Sequence, residues 1–243
     1  MANYKISFSP TGGVEKCADL LSAHLGSNWK EIDLSHPISP VTLKEEDLCI
    51  YAVPSFGGRV VPIATERMKS IQGNGAKAIL LCVYGNRAYE DTLVEMQDTL
   101  NAQGFRCVAA IAALAEHSIM HQFATGRPDT SDEAMLAGFA SKINLENTLT
   151  SLPGNRPYKP YKVVPMVPML GETCTSCGLC VEECPVCAIG DDFAIDPQKC
   201  IGCMRCTSIC PSQARYLDPE RISMLVKMLG AALEGRKENE LFL

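Results

Sequence analysis

Leu48-Cys49-Ile50-Tyr51-Ala52-Val53 runs straight into Pro54-Ser55-Phe56-Gly57-Gly58-Arg59. The first six residues are unbroken apolar, as a strand covered on both faces must be, and such strands belong to parallel sheets with helices on each side. The next six hold a proline and two glycines, which end a strand and begin a turn. The same unit recurs in both directions along the chain. Residues 4–8, 76–84 and 106–113 read as further apolar strands, and 28–34 fits a fifth, outer one. Helical spacing fills the intervals. Residues 14–25 place Val14, Cys17, Ala18, Leu21 and Leu25 on one face, and 61–72 and 89–103 follow. A last helix opens near Thr130, where Thr130-x-x-Glu133 has the form of a capping box. Strands alternating with helices predict an α/β fold with a five-stranded, doubly wound parallel sheet.

Such sheets bind ligands beyond the carboxyl ends of their strands. Three loops expected there are unusual. Ser9-Pro10-Thr11-Gly12-Gly13 precedes a helix, and hydroxyls, glycine amides and a helix N-terminus together suit a phosphate. The spacing is neither that of the nucleotide-hydrolase loop nor Gly-x-Gly-x-x-Gly. Pro54-Ser55-Phe56-Gly57-Gly58-Arg59 and Gly85-Asn86-Arg87-Ala88-Tyr89 each offer glycine backbone and an aromatic, with Tyr84 adjacent. That combination suits a flat ring bonded to backbone and packed on an aromatic, as against ordinary loop packing of Phe56 and Tyr89.

Composition narrows the classes. The chain has 243 residues, 47% hydrophobic and 21% charged, which excludes disorder. The longest apolar run, 107–115, falls far short of the ~18 residues of a membrane span. The opening Met-Ala-Asn-Tyr-Lys shows no charged segment leading into an apolar one, so neither leader nor membrane anchor is expected. A net charge of −6 argues against nucleic acid as a partner. Charge also divides the chain: net −5 over 1–150, +3 over 151–171 and −4 over 172–243. The middle piece holds Pro153, Pro157, Pro160, Pro165 and Pro168, which bar a helix or a central strand and predict a semi-rigid extended linker.

Nine of the 13 cysteines lie between Cys174 and Cys210. At that density, with no leader, metal ligation in a reducing, cytoplasmic compartment is expected rather than disulfides. Cys174-x2-Cys177-x2-Cys180-x3-Cys184-Pro185 recurs 26 residues on as Cys200-x2-Cys203-x2-Cys206-x3-Cys210-Pro211. Thiolates select iron–sulfur clusters or zinc, and zinc pairs are usually separated by longer loops. The spacing resembles that of bacterial two-cluster ferredoxins, a small α+β fold. The resemblance implies an exchanged ligand set: Cys174, Cys177, Cys180 and Cys210 on one [4Fe–4S] cluster, and Cys200, Cys203, Cys206 and Cys184 on the other. Cys17, Cys49, Cys82 and Cys107 sit in apolar patterns and read as core, and Cys187 as a spare thiol beside a cluster.

The N-terminal loops resemble those of flavodoxin-like domains, whose phosphate loop has the form Ser/Thr-x-Thr-Gly-x-Thr. Ser9-x-Thr11-Gly12-Gly13 matches it, with Val14 replacing the final hydroxyl, so that one contact passes to backbone. This resemblance implies FMN, strand order 2-1-3-4-5, and a ring between the two glycine loops. The cofactor-binding residues are then Ser9, Thr11, Gly12, Gly13, Val14, Pro54, Ser55, Phe56, Gly57, Gly58, Tyr84, Gly85, Asn86, Arg87 and Tyr89. Over residues 3–216 the chain resembles the flavodoxin–ferredoxin fusion proteins of anaerobic bacteria and archaea. Its marks are 8–12, 56–59, 84–87 and Glu116-His117-Ser118, ahead of the cysteine repeats.

The expected organisation is a flavodoxin-like domain over 1–150, the linker over 151–171, a ferredoxin domain over 172–216, and a C-terminal helix and tail over 217–243. Residues 222–233 put Ile222, Leu225, Val226, Leu229 and Leu233 on one face, for bracing one domain against the other. His117 follows the fifth strand, either as a proton donor at the ring or as a loop-ordering group. With His121 it lacks a third ligand for zinc. Arg59 reaches either the ring edge, a substrate, solvent, or an acid such as Asp91. The function expected is an FMN- and iron–sulfur-dependent oxidoreductase passing electrons to or from a protein partner or a small molecule. The alternatives are an electron carrier with no substrate site, and a ferredoxin fused to an interaction domain without flavin.

Overall fold

The computed structural model describes residues 1–162 and 166–243. Pro165, one of the five linker prolines, lies outside the described residues. In chain order the elements are β1 (Asn3–Ser7), α1 (Gly13–Ser22), β2 (Trp29–Asp33), β3 (Val41–Thr42), β4 (Leu48–Phe56), β5 (Arg59–Val60), α2 (Pro62–Met68), β6 (Ile71–Gln72), β7 (Lys77–Tyr84), α3 (Thr92–Ala102), β8 (Arg106–Leu114) and α4 (Thr130–Ala140). The C-terminal part adds β9 (Met169–Leu170), α5 (Leu179–Glu182), α6 (Arg205–Ser208), β10 (Arg215–Tyr216), α7 (Pro219–Leu233) and β11 (Glu240–Phe242).

The main sheet runs β2-β1-β4-β7-β8-β11. Its first five members are parallel, with Ile6 opposite Tyr51 and Tyr51 opposite Leu80, and give the 2-1-3-4-5 order of a flavodoxin-like fold. Alternation along each strand feeds two separate cores. Ile6, Tyr51, Val53, Leu80 and Cys82 point to one face, while Ile50, Ala52, Ile79, Leu81 and Val83 point to the other. Each of these larger side chains contributes roughly 1.5–3 kcal/mol by leaving water. Cys17, Cys49, Cys82 and Cys107 are buried in these layers, with the Cys17 thiol pushed up to about 12 by burial.

Several boundaries differ from the sequence expectation. The stretch 61–72 divides, because the chain turns after Met68 and Ile71–Gln72 pairs with Val41–Thr42. α3 starts at Thr92 rather than 89, since Glu90 adopts φ 41° ahead of the helix. The capping box of α4 sits one residue earlier: Asp129 accepts from the Ser131 and Asp132 amides, and Asp132 accepts from the Asp129 amide. β11 comes from the C-terminal tail. It pairs antiparallel with β8, and Asn239 secures it by accepting from the Leu114 amide and donating to buried Asp132.

Linker residues 155–159 dock on α3 and the residue that precedes it. Asp91 accepts from the Asn155 and Lys159 amides at 2.8 and 2.7 Å, and Arg156 pairs with Asp98 at 2.7 Å. The cysteine-rich part folds as two matching halves. Gly178 and Met204, 26 residues apart, are left-handed caps of α5 and α6, and Cys187 and Gln213 repeat another left-handed turn. α7 packs Leu225 and Leu233 with Met120 of the first unit and Met204 of the second, so it bridges the two parts. Asn86 and Lys237 hold its end, Asn86 donating to the Leu233 and Gly235 carbonyls and Lys237 to the Ala232 carbonyl at 3.0 Å. Among the described residues no helix is long and apolar enough to cross a membrane.

Candidate functional site

The carboxyl ends of β1, β4, β7 and β8 open on a cavity of about 340 Å³. Three sequence-predicted loops meet there, through Thr11, Gly13 and Val14, through Pro54, Ser55, Phe56 and Gly57, and through Tyr84, Gly85 and Arg87. The Ser9 hydroxyl accepts from the Glu15 amide at 2.9 Å and so ties the first loop to the start of α1. Gly12, at φ +83°, makes the turn that a side chain would strain, and leaves open space where a Cβ would stand.

The two other loops rely on close approach. A Cβ on Gly57 would stand 2.3 Å from the Lys162 carbonyl oxygen, and one on Gly85 would stand 2.9 Å from the His117 Cα. Only glycine lets the linker and the His117 loop lie against the strand ends. The Ser55 hydroxyl bonds that of Thr92 at 2.8 Å. Of the predicted residues, Ser9, Gly12, Gly58, Asn86 and Tyr89 do not line the cavity. Gly58 packs on Glu90, Asn86 holds α7, and Tyr89 packs edge-on to Tyr84 with its hydroxyl on Glu240.

Arg59 also turns away from the cavity. Its Nε and Nη2 donate to the two Glu95 oxygens at 2.7 and 2.9 Å, and its plane lies 4.7 Å over the Tyr158 ring. The hydrogen bond to Glu95 holds the guanidinium firmly charged. The partner is thus Glu95, 36 residues on, while Asp91 serves the linker backbone.

His117 lines the cavity, and its Nδ1 accepts from the Ile119 and Met120 amides at 3.1 and 3.2 Å. Burial lowers its pKa to about 4. The ring is therefore neutral near pH 7 with its proton on Nε2, a hydrogen-bond donor rather than an imidazolium acid. His121 instead pairs with Glu116 at 2.8 Å.

Sequence reasoning did not find the remaining walls. Lys159 and Lys162 come from the linker, Leu225 and Leu229 from α7, and Ile201, Gly202 and Cys203 from the second cysteine repeat. The +3 charge of the linker was the only local signal for the first pair. The others depend on how the two parts dock.

The cysteines form two groups around two small cavities of about 20 Å³ each. Cys184, Cys200, Cys203 and Cys206 line one, and Cys174, Cys177, Cys180 and Cys210 line the other. Among the described residues no three Cys, His, Asp or Glu converge on a single-ion position. The amides of Ala188 and Ala214 donate to Cys184 Sγ and Cys210 Sγ, each at 3.2 Å, repeating one contact across the two halves. Among the described residues, two buried donors beside these sulfurs have no hydrogen-bond partner. Arg215 Nε lies by the outer group and Tyr161 Oη near Cys203, as fits sites whose acceptors are cluster sulfurs. Cys187 is exposed at its left-handed turn, outside both groups.

Residues 171–187 and 193–214 each match a 4Fe-4S binding domain model. The chain is 50% identical over 40 residues to a ferredoxin of Alicyclobacillus acidocaldarius subsp. acidocaldarius, an alignment covering 15% of this chain and about half (51%) of that ferredoxin. Among solved structures, a flavodoxin of Streptococcus pneumoniae TIGR4 and flavodoxin 1 of Bacillus cereus each align with 58% of this chain and 96% of theirs, at 17% identity and TM-score 0.41. An NADH:FMN oxidoreductase aligns with 59% of this chain and 90% of its own, at 14% identity and TM-score 0.40. The strand order and the two cysteine matches define the class: a flavodoxin-like α/β unit joined to a ferredoxin-type 4Fe-4S segment.

Proposed function

We propose that the chain is an FMN- and iron–sulfur-dependent oxidoreductase in which two [4Fe–4S] clusters exchange electrons with one FMN. When bound, a flavin accepts electrons singly or in pairs and each cluster accepts one, so the combination converts single electrons to pairs. The observation that carries this reading is that Cys203, a ligand of the inner group, lies in the wall of the cavity formed by the three loops.

The chain's own residues divide the work. The Thr11 hydroxyl and the amides of residues 12–14 at the start of α1 bind the phosphate. Gly57 and Gly85 would offer backbone, and Phe56 and Tyr84 aromatic surface, to a flavin held in the cavity they line. Neutral His117, its Nδ1 taken by two backbone amides, would have its Nε2 proton available as a donor in the cavity. Leu225, Leu229 and Met120 close the apolar side against water. Cys184, Cys200, Cys203 and Cys206 hold the inner cluster, and Cys174, Cys177, Cys180 and Cys210 the outer one, where Cys177 is exposed toward a redox partner.

A second reading, an electron carrier with no separate substrate site, has one observation in its favour. A cavity of about 340 Å³ is near the lower end of the ~300–1,000 Å³ of ligand sites and leaves little room beside a bound ring. Anaerobic purification with flavin, iron and sulfide quantitation tests the main proposal, which expects one FMN and about eight irons per chain. Riboflavin should bind far more weakly than FMN. Equal affinities would remove the 9–14 loop as the phosphate site, and iron without flavin would leave only a ferredoxin fused to an interaction domain.

A further inference from the structure

The two halves of the cysteine-rich part differ in chemistry at one buried position. With the 26-residue offset, Cys184 maps onto Cys210, Ala188 onto Ala214, and Ile189 onto Arg215. The backbone follows the mapping. Ile189 bridges Ile195, Arg215 pairs with Leu170, and the two alanine amides bond the two cysteine sulfurs at the same distance. Both side chains are buried, Ile189 6% and Arg215 4% exposed, and each lines its own cysteine cavity.

Ile189 brings no charge to the inner group, and Arg205, which lines that cavity opposite Leu179 of the outer one, is neutralised by its ion pair with Glu183. Arg215 brings a permanent charge to the outer group. Its Nη2 lies 3.6 Å from Cys180 Sγ and donates to the Phe193 carbonyl at 2.6 Å, and its buried Nε has no hydrogen-bond partner among the described residues. No carboxylate appears among its hydrogen-bond partners in the described residues. A guanidinium at this depth is costly to bury unless an anion answers it. A cluster with four thiolate ligands is such an anion, and it becomes more negative when it takes an electron.

Resting on the reading that both groups hold [4Fe–4S] clusters, we infer that Arg215 is the built-in counter-charge of the outer cluster and raises its reduction potential above that of the inner cluster. A fixed positive charge stabilises the more negative, reduced form more than the oxidised one. Cys206 of the inner group also feels Arg215, but contact is made at Cys180, so the effect is unequal. The first electron to enter then rests on the outer cluster, away from the flavin cavity and beside exposed Cys177. Arg215 is a positioning residue for charge, not a ligand.

The test is an anaerobic redox titration of the whole protein followed by electron paramagnetic resonance, after iron, sulfide and flavin have been counted. Wild-type protein should show two resolved one-electron cluster steps. Cys177→Ala should remove the higher one. Arg215→Ile, which copies the first half, and Arg215→Gln, which keeps hydrogen bonding, should lower the higher step more than the lower one. At a fixed potential the outer cluster should be about tenfold less reduced, a shift of 59 mV for one electron. Arg215→Lys should keep most of the separation. A single unresolved step in wild-type protein carrying both clusters overturns the inference, whether or not the variants fold. So do unchanged potentials in an Arg215→Gln protein with full iron. Wild-type protein that never holds about eight irons overturns the two-cluster reading along with it.

Discussion

Replacing Arg59 by methionine keeps the apolar stem over Tyr158 and deletes the guanidinium. The structure makes this a change in stability, not in flavin chemistry. Glu95 loses two hydrogen bonds, at 2.7 and 2.9 Å, and among the described residues its side chain keeps only the Val60 amide at 2.9 Å. The side chains are 15% and 11% exposed, so the carboxylate is left largely buried without its counter-charge. Breaking a fully buried pair costs about 3–5 kcal/mol, and the residual exposure lowers this to roughly 2–4 kcal/mol. For a chain of this size that is a fall in Tm of roughly 5–15 °C. Urea unfolding followed by the fluorescence of Trp29, the only tryptophan, reads the unit directly, because Trp29 lies in β2. Adding Glu95→Leu should recover part of the loss, since an apolar pair leaves no orphaned charge. A loss under about 0.5 kcal/mol would refute the reasoning. So would a shifted flavin potential with stability unchanged, which would return Arg59 to the ring.

His117 sets a pH window. Its folded pKa is depressed to about 4 by burial, while an unfolded histidine titrates near 6.5. The unfolded chain therefore binds the proton first, and stability present above about pH 6.5 is lost as pH falls toward 4, by roughly 2–3 kcal/mol. His117→Gln should flatten that limb in urea midpoints measured across the window, and an unchanged limb would count against it. Gly85→Ala should displace the His117 loop, because its Cβ would stand 2.9 Å from the His117 Cα, and flavin affinity should fall at least tenfold by fluorescence titration while iron content holds. Thr11→Ala should weaken FMN by roughly 1–3 kcal/mol and leave riboflavin nearly unchanged, as checked by calorimetry. Cys203→Ala should remove the inner cluster and stop flavin reduction through the clusters, read by stopped-flow absorbance. Normal flavin reduction in that variant would detach the inner group from the cavity.

Much of this organisation is legible in the sequence because its signals are local. The apolar run 48–53 is a buried strand wherever it sits in the sheet, and the glycines after it mark the ligand edge. The cysteine spacing, through its resemblance to two-cluster ferredoxins, implies two groups of four, and the cysteines line two separate cavities. What escapes reading depends on partners far along the chain. Arg59 meets Glu95 across 36 residues, and Asn86 meets Leu233 across 147. The tail residues 240–242 have no strand signature of their own, and they become a strand because the free edge of β8 offers them one. The cavity wall at Cys203 and Leu225 exists only once the two parts have docked. His117 lies beyond the end of β8 in the cavity wall, but its neutral state follows from burial and two backbone amides that no sequence pattern displays.

Counting the electrons that one chain accepts is the most direct test. Purified anaerobic protein, titrated with a low-potential reductant, should take up about four electrons per chain, one for each cluster and two at the flavin, with the flavin absorbance bleaching alongside that of the clusters. An uptake of about two electrons with no flavin absorbance would contradict the account, leaving the 340 Å³ cavity without the group it is proposed to hold.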